Sequence, residues 1–166
     1  MKLLYFFVSA PAWQIVSIMI LPLILAMSTS SVIKSMFTIQ IAMFVAIFTM
    51  LLWIYSVCLL INKKYSSKLN VPLLRLKMCI TYNMIYSIFF SFGIIPIDYL
   101  TPFHLLFFIC NVYALYFLSK LLVMVEKKGK VNFKDWIGTF IAAYFFIFGI
   151  WTIQPRIIRV FSFNNL

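Results

Sequence analysis

From Met36 to Ile61 the chain reads MFTIQIAMFVAIFTMLLWIYSVCLLI, without one charged side chain. As a helix this stretch rises roughly 39 Å, enough to cross a bilayer with tilt. In hydrocarbon a single segment satisfies its own N–H and C=O groups only as a helix. This run therefore dictates a helical membrane segment, and the rest of the chain repeats the theme. The sequence is 65% hydrophobic and 10% charged over 166 residues. Soluble domains have about 45–50% apolar and about 25% charged residues, and one this small could not bury so much apolar surface. The expected fold is an all-α integral membrane protein. It has four transmembrane helices plus a fifth short C-terminal apolar helix, spanning or re-entrant, in a single bundle over residues 1–166.

The expected spans are 9–27, 36–61, 78–96 and 102–125, with a fifth apolar segment at 133–153. MKLLYFFVSAPAW imitates a signal peptide, but the apolar stretch Leu3 to Val8 is short for one. It reads as an uncleaved lead-in to the first span. Ser9 is placed to cap that span, Pro11 suits its first turn, and Pro22 should kink it. Lys63 and Lys64 stop the second run. Gly93 and Pro96 close the third, and Asp98 stands in the next turn. Thr101 and Pro102 are a cap and first helical residue for the fourth, and Gly129 ends it. Asn132 with Asp135 forms a capping box, with Val131 and Trp136 as a staple, so the next helix starts near Phe133.

The net charge is +11, from 14 Lys+Arg against 3 Asp+Glu. The cations cluster in short loops: Lys63, Lys64, Lys68, Arg75 and Lys77 in one, Lys127, Lys128, Lys130 and Lys134 in another. This is the positive-inside pattern, with attraction to anionic headgroups, and it places the N-terminus in the cytoplasm. No basic stripe lies on a polar face, which argues against nucleic acid as a partner. The fifth segment strains the rule. If it crosses, Arg156 and Arg159 lie outside; if it enters and returns, they join the other cations. Gly138 and Gly149 favour a bend, and Pro155 should interrupt the helix. The reading favours a re-entrant or partly inserted segment.

Cys58, Cys79 and Cys110 fall in apolar runs with no CxxC or His-rich partner, so neither a disulfide nor a metal site is expected. No cofactor signature, P-loop, HExxH or nucleophile elbow occurs. Ionisable and amide groups at membrane depth are the remaining candidates. Gln40, Asn83, Ser87, His104 and Asn111 are possible intramembrane polar contacts. His104 and Asn111 share one helical face, and Asn83 and Ser87 could meet Asn111 or Gln40 as interhelical glue. Arg75, Lys77, Lys120, Gln154, Arg156 and Arg159 are possible lipid or partner contacts.

The stretches PFHLLFFICNVYALYFLSKLL, NFKDWIG and FFIFGIWTIQPRI, within Pro102 to Ile158, resemble a family of small multi-span membrane proteins of Bacteroidota. GIW followed by IQPRI is the most specific part. The resemblance implies a bacterial cytoplasmic (inner) membrane protein and brings no activity. It also implies an acidic residue just after the glycine of the fifth helix; here Thr139 follows Gly138. The expected function is non-enzymatic: an accessory or structural subunit of a larger membrane assembly, whose partners are lipids and other membrane subunits or itself. The alternatives are an oligomeric pore-forming or membrane-perturbing effector, and a small transporter. Against the transporter stands the lack of an Asp or Glu well inside any span.

Overall fold

The structure, a computed structural model, describes residues 2–28, 32–69, 73–92 and 100–162. Among these the chain is all-helical: α1 (Lys2–Ser9), α2 (Ala12–Ser28), α3 (Val32–Leu69), α4 (Leu74–Ser91), α5 (Leu100–Glu126), α6 (Phe133–Tyr144) and α7 (Phe146–Ser162). Within α3 and α5, Thr38–Tyr65 and Thr101–Glu126 are long and apolar enough to cross a membrane. The other two expected spans do not meet that standard alone. The first, 9–27, falls almost wholly in α2, which has 17 residues; it passes only together with α1, which it meets at 106°. In α4 the described residues include Arg75, Lys77 and Asn83. Gly93, Pro96 and Asp98, its expected end and turn, lie outside the described residues.

The break after α1 corrects the role given to Ser9. Its hydroxyl donates to the carbonyls of Tyr5 (2.9 Å) and Phe6, closing α1 rather than capping α2. The α2 helix opens after Pro11, whose carbonyl accepts from the Gln14 amide at 3.0 Å. Pro22 lies inside α2, which runs through it to Ser28.

The fifth segment is not one helix. It breaks at Phe145 and folds back on itself. In a continuous helix Thr139 and Arg156 would be roughly 25 Å apart, yet the Arg156 Nη1 donates to the Thr139 hydroxyl at 2.9 Å. Gly149 makes this hairpin possible. A Cβ there would lie 1.6 Å from the Ala142 carbonyl oxygen, so no other residue lets the two backbones approach this closely. Gly138, by contrast, has open space around its Cα. The Phe145 carbonyl accepts from the Phe148 and Gly149 amides and starts α7.

Pro155 does not end α7, contrary to the sequence reading. The hydrogen bond it removes would have gone to the Trp151 carbonyl, and both residues lie on the exposed face. Such a proline costs about 3 kcal/mol in an isolated helix. Ile150, Ile153, Gln154, Ile157 and Val160, buried on the opposite face, hold α7 in line through it.

The core is gathered towards one end of the bundle. It is built around Ile15, Trp53 to Ile61, Leu118 to Leu122 and Ile150 to Ile157. Lys64, Glu126 and Arg156 also come together at this end. Away from it, α2 and the first half of α5 leave large apolar side chains exposed, Leu25, Met27, Leu105 and Phe108 among them.

The end of α5 is closed by the Gly129 amide on the Met124 carbonyl and the Lys128 amide on the Val125 carbonyl, both at 3.2 Å. This is a Schellman closure, but Lys128 and not Gly129 takes the left-handed conformation, with φ 54°. A residue with a Cβ pays roughly 1–2 kcal/mol there. Lys128→Gly should therefore stabilise the protein by about 0.5–1 kcal/mol, after the glycine's greater loss of entropy. Thermal unfolding in detergent checks this, and a lowered midpoint would contradict it.

Candidate functional site

The 106° break leaves the last carbonyls of α1 without helical partners. They sit beside Trp53 in the buried core, where an unpaired carbonyl is costly. Gln154 supplies the missing donor. Its Nε2 reaches the carbonyls of Ala10 at 2.7 Å, Phe7 at 3.2 Å and Val8 at 3.3 Å. Its Oε1 accepts from the Trp53 indole N–H at 2.8 Å. Gln154 and Trp53 are both fully buried, so Gln154 is an internal tie between α1, α3 and α7 rather than a lipid or partner contact. The Phe146 ring stands edge-on to Trp53 at 5.1 Å and closes the remaining side.

Two further ties hold α7 at the basic end. Arg156 forms a bidentate pair with Glu126 of α5, with Nε to Oε1 at 2.8 Å, and adds the Thr139 contact. This fork geometry suits a guanidinium and would be lost with lysine. The ammonium of Lys64 donates to the carbonyls of Val160 (2.8 Å) and Phe161 (3.2 Å), and the Tyr65 hydroxyl donates to Val160 at 3.2 Å. Cations on the last carbonyls of a helix also favour its dipole. The base of the α6–α7 hairpin is fixed by Lys127 on Asp135, whose other oxygen accepts from the Asn132 amide at 2.8 Å. Lys127 first, then that amide, holds the Asp135 carboxyl below its ordinary range.

A second polar group lies between α4 and α5. Tyr86 is hydrogen-bonded to Nδ1 of His104, and the Tyr82 hydroxyl donates to the Phe103 carbonyl at 3.0 Å. Cys79 of α4 and Cys110 of α5 are free thiols on the same pair of helices. Asn83 is fully buried, and neither its Nδ2 nor its Oδ1 has a protein partner. Asn111 donates to the Phe107 carbonyl of its own helix at 3.2 Å, leaving its Oδ1 unpaired. Ser87 likewise bonds within its helix, to the Asn83 carbonyl at 2.7 Å. The interhelical amide bonds expected from Asn83 and Ser87 are therefore not formed, because each hydroxyl or amide turns to its own backbone or stays unpaired. Gln40 and His104 are exposed residues.

Of the other cations, Arg75, Lys77 and Arg159 are exposed, and Lys120 folds onto Tyr116, donating to its hydroxyl at 3.0 Å. Among the described residues no three His, Cys, Asp or Glu side chains group as metal ligands would. The spacing of the sequence carried no sign that Gln154 and Trp53 meet. The one local hint was a carboxamide on an otherwise apolar helical face.

No family model, curated protein or solved structure matches the chain.

Gln154→Leu keeps the volume and removes the amide. It strands the Trp53 N–H and the α1 carbonyls, at about 1–3 kcal/mol for each group left unpaired. For four such groups the expected loss is about 4 kcal/mol or more, read as a lower unfolding midpoint in detergent. An unchanged midpoint would show that the tie contributes nothing to stability.

Proposed function

We propose that this chain is a non-enzymatic, multi-pass protein of a bacterial cytoplasmic membrane, serving as an accessory or structural subunit of a larger membrane assembly. The observation that carries this reading is the uneven distribution of packing. Side chains are densely buried at the basic end, while the far parts of α2, α4 and α5 present large apolar residues outward. A surface this apolar needs lipid chains or partner helices against it. At the basic end Gln154, Arg156, Lys64 and Lys127 engage other side chains or backbone groups, as befits a scaffold.

In this reading four segments cross, those of α2, α3, α4 and α5. The α6–α7 hairpin is re-entrant. Both of its ends lie beside the basic residues, at Asp135–Lys127 and Arg156–Glu126. Its turn carries Tyr144, Phe145, Ile147 and Phe148, all exposed, with Phe148 at 79%. A turn of that composition belongs in hydrocarbon, while the lysines at the base face anionic headgroups. The family likeness expects a carboxylate at position 139. Here Thr139 occupies that place on Arg156, and the acid comes from Glu126.

Two experiments test this. A cysteine added after Leu166 should resist an impermeant maleimide in intact cells and react once they are opened; labelling in intact cells would overturn the re-entrant hairpin. Chemical cross-linking in native membranes, followed by purification, should capture the chain with itself or with other membrane subunits. A stable monomer that co-isolates with nothing would overturn the subunit reading.

A further inference from the structure

Among the described residues, the buried side-chain nitrogen and oxygen atoms without a protein partner belong to three asparagines, Asn62, Asn83 and Asn111. They come from α3, α4 and α5, each of which packs against the other two. Asn62 is half-buried beside the exposed Lys63 at the basic end, where solvent is at hand. Asn83 and Asn111 lie deeper. Asn83 is fully buried, and it stands roughly 9 Å of helical rise beyond the exposed Lys77. An amide left unpaired in such surroundings is costly.

Ring contacts fix the register of α4 on α5. The Phe90 and His104 rings lie 5.2 Å apart, and the Tyr86 and Phe107 rings 5.0 Å apart. The two helices therefore run antiparallel, and residues three or four apart on each form the facing stripes. The next layer of this series, one turn nearer the basic end, is Asn83 with Asn111. The two carboxamides share a layer, yet no hydrogen bond joins them. The Asn111 Nδ2 turns to the Phe107 carbonyl at 3.2 Å, and Ser87 donates to the Asn83 backbone carbonyl. Left over are the Oδ1 of each residue and the Nδ2 of Asn83. One spare donor is poor company for an anion. A metal cation would want a carboxylate, and Glu126 and Asp135 are paired elsewhere, with Arg156 and Lys127. Two acceptors and one donor match a neutral molecule that gives two hydrogens and accepts one. Water does this, and a buried water typically makes about three hydrogen bonds.

We propose that Asn83 and Asn111 form a buried water-binding site that joins α4 to α5. The water donates one hydrogen to each Oδ1 and accepts from the Asn83 Nδ2. It supplies the interhelical bond that the amides do not make directly, and a bridge of this kind is nearly as favourable in enthalpy as a direct hydrogen bond. The seam is thus hydrated at one layer and packed with rings at the layers next to it, Tyr86 on Phe107 and Phe90 on His104.

The test is X-ray radiolysis of the full chain in liposomes made up in water labelled with heavy oxygen. Radiolysis turns water into hydroxyl radicals where the water sits, so a bound water marks the side chains beside it. Cys110, the neighbour of Asn111, is a buried reporter, and Cys58, fully buried in α3, is a dry control of the same chemistry. Mass spectrometry of the digest reads heavy oxygen taken up at each. Cys110 should be marked several times faster than Cys58. Asn83→Leu keeps the volume and removes the amide, and should bring Cys110 down to the rate of Cys58. Equal rates at the two cysteines of the native chain would overturn the proposal, and would fit dry amides instead. An undiminished rate at Cys110 in Asn83→Leu would overturn it too, since the water would not be held by that amide. The native comparison decides the matter even if the leucine variant fails to fold.

Discussion

A single carboxamide governs how the rest of this chain is arranged. In an apolar interior a bent backbone is tolerated only where something answers its free carbonyls. Gln154 answers those at the end of α1 with one nitrogen and holds the Trp53 indole with its oxygen. The sharp bend between α1 and α2, the inward position of Trp53 and the seating of α7 are therefore one structural decision. Remove the amide and each becomes a separate liability.

The hairpin of α6 and α7 depends on a different economy, that of space. Its arms touch where Gly149 passes the Ala142 carbonyl, and only the absence of a Cβ lets them do so. The Arg156–Glu126 pair and the Lys64 contacts then fix the free arm to α5 and α3. Packing at the turn and charge at the base are complementary. The turn is apolar and exposed, the base is polar and tied, and the polarity gradient runs along the hairpin as it does across half a bilayer.

Much of the helical content was legible in the sequence, since long uncharged runs and capping residues report on local physics. α6 begins at the Asn132–Asp135 box as its spacing predicts. But α5 already starts at Leu100, so Thr101 does not cap it. α3 runs past the expected stop at Lys63 and Lys64 to Leu69, because lysine does not oppose a helix. The breaks were less legible. Phe145 is neither glycine nor proline, and its turn follows from a contact made four residues later by Gly149. Pro155, the obvious breaker, is carried through by the burial of its opposite face. Ser9 suits either end of a helix, and only the 106° bend decides which. The Gln154 tie was not legible at all, because its partners are distant in sequence and a glutamine before Pro-Arg looks like an interface residue. The aim of Asn83 and Asn111 was equally hidden, since an amide's preference for its own helix depends on what faces it.

The tie between Gln154 and Phe7 joins residues 147 positions apart. Translation runs from the first to the second, and at 5–20 residues per second that interval is on the order of ten seconds. Throughout it, the carbonyls at the end of α1 and the Trp53 N–H exist without the amide that will later satisfy them. The bend after Ser9 thus cannot mature when α1 and α2 are made. The nascent chain must keep this end hydrated or held by the insertion machinery until α7 arrives. Closure of the basic end is a late event in the assembly of this protein, set by the order in which its helices leave the ribosome.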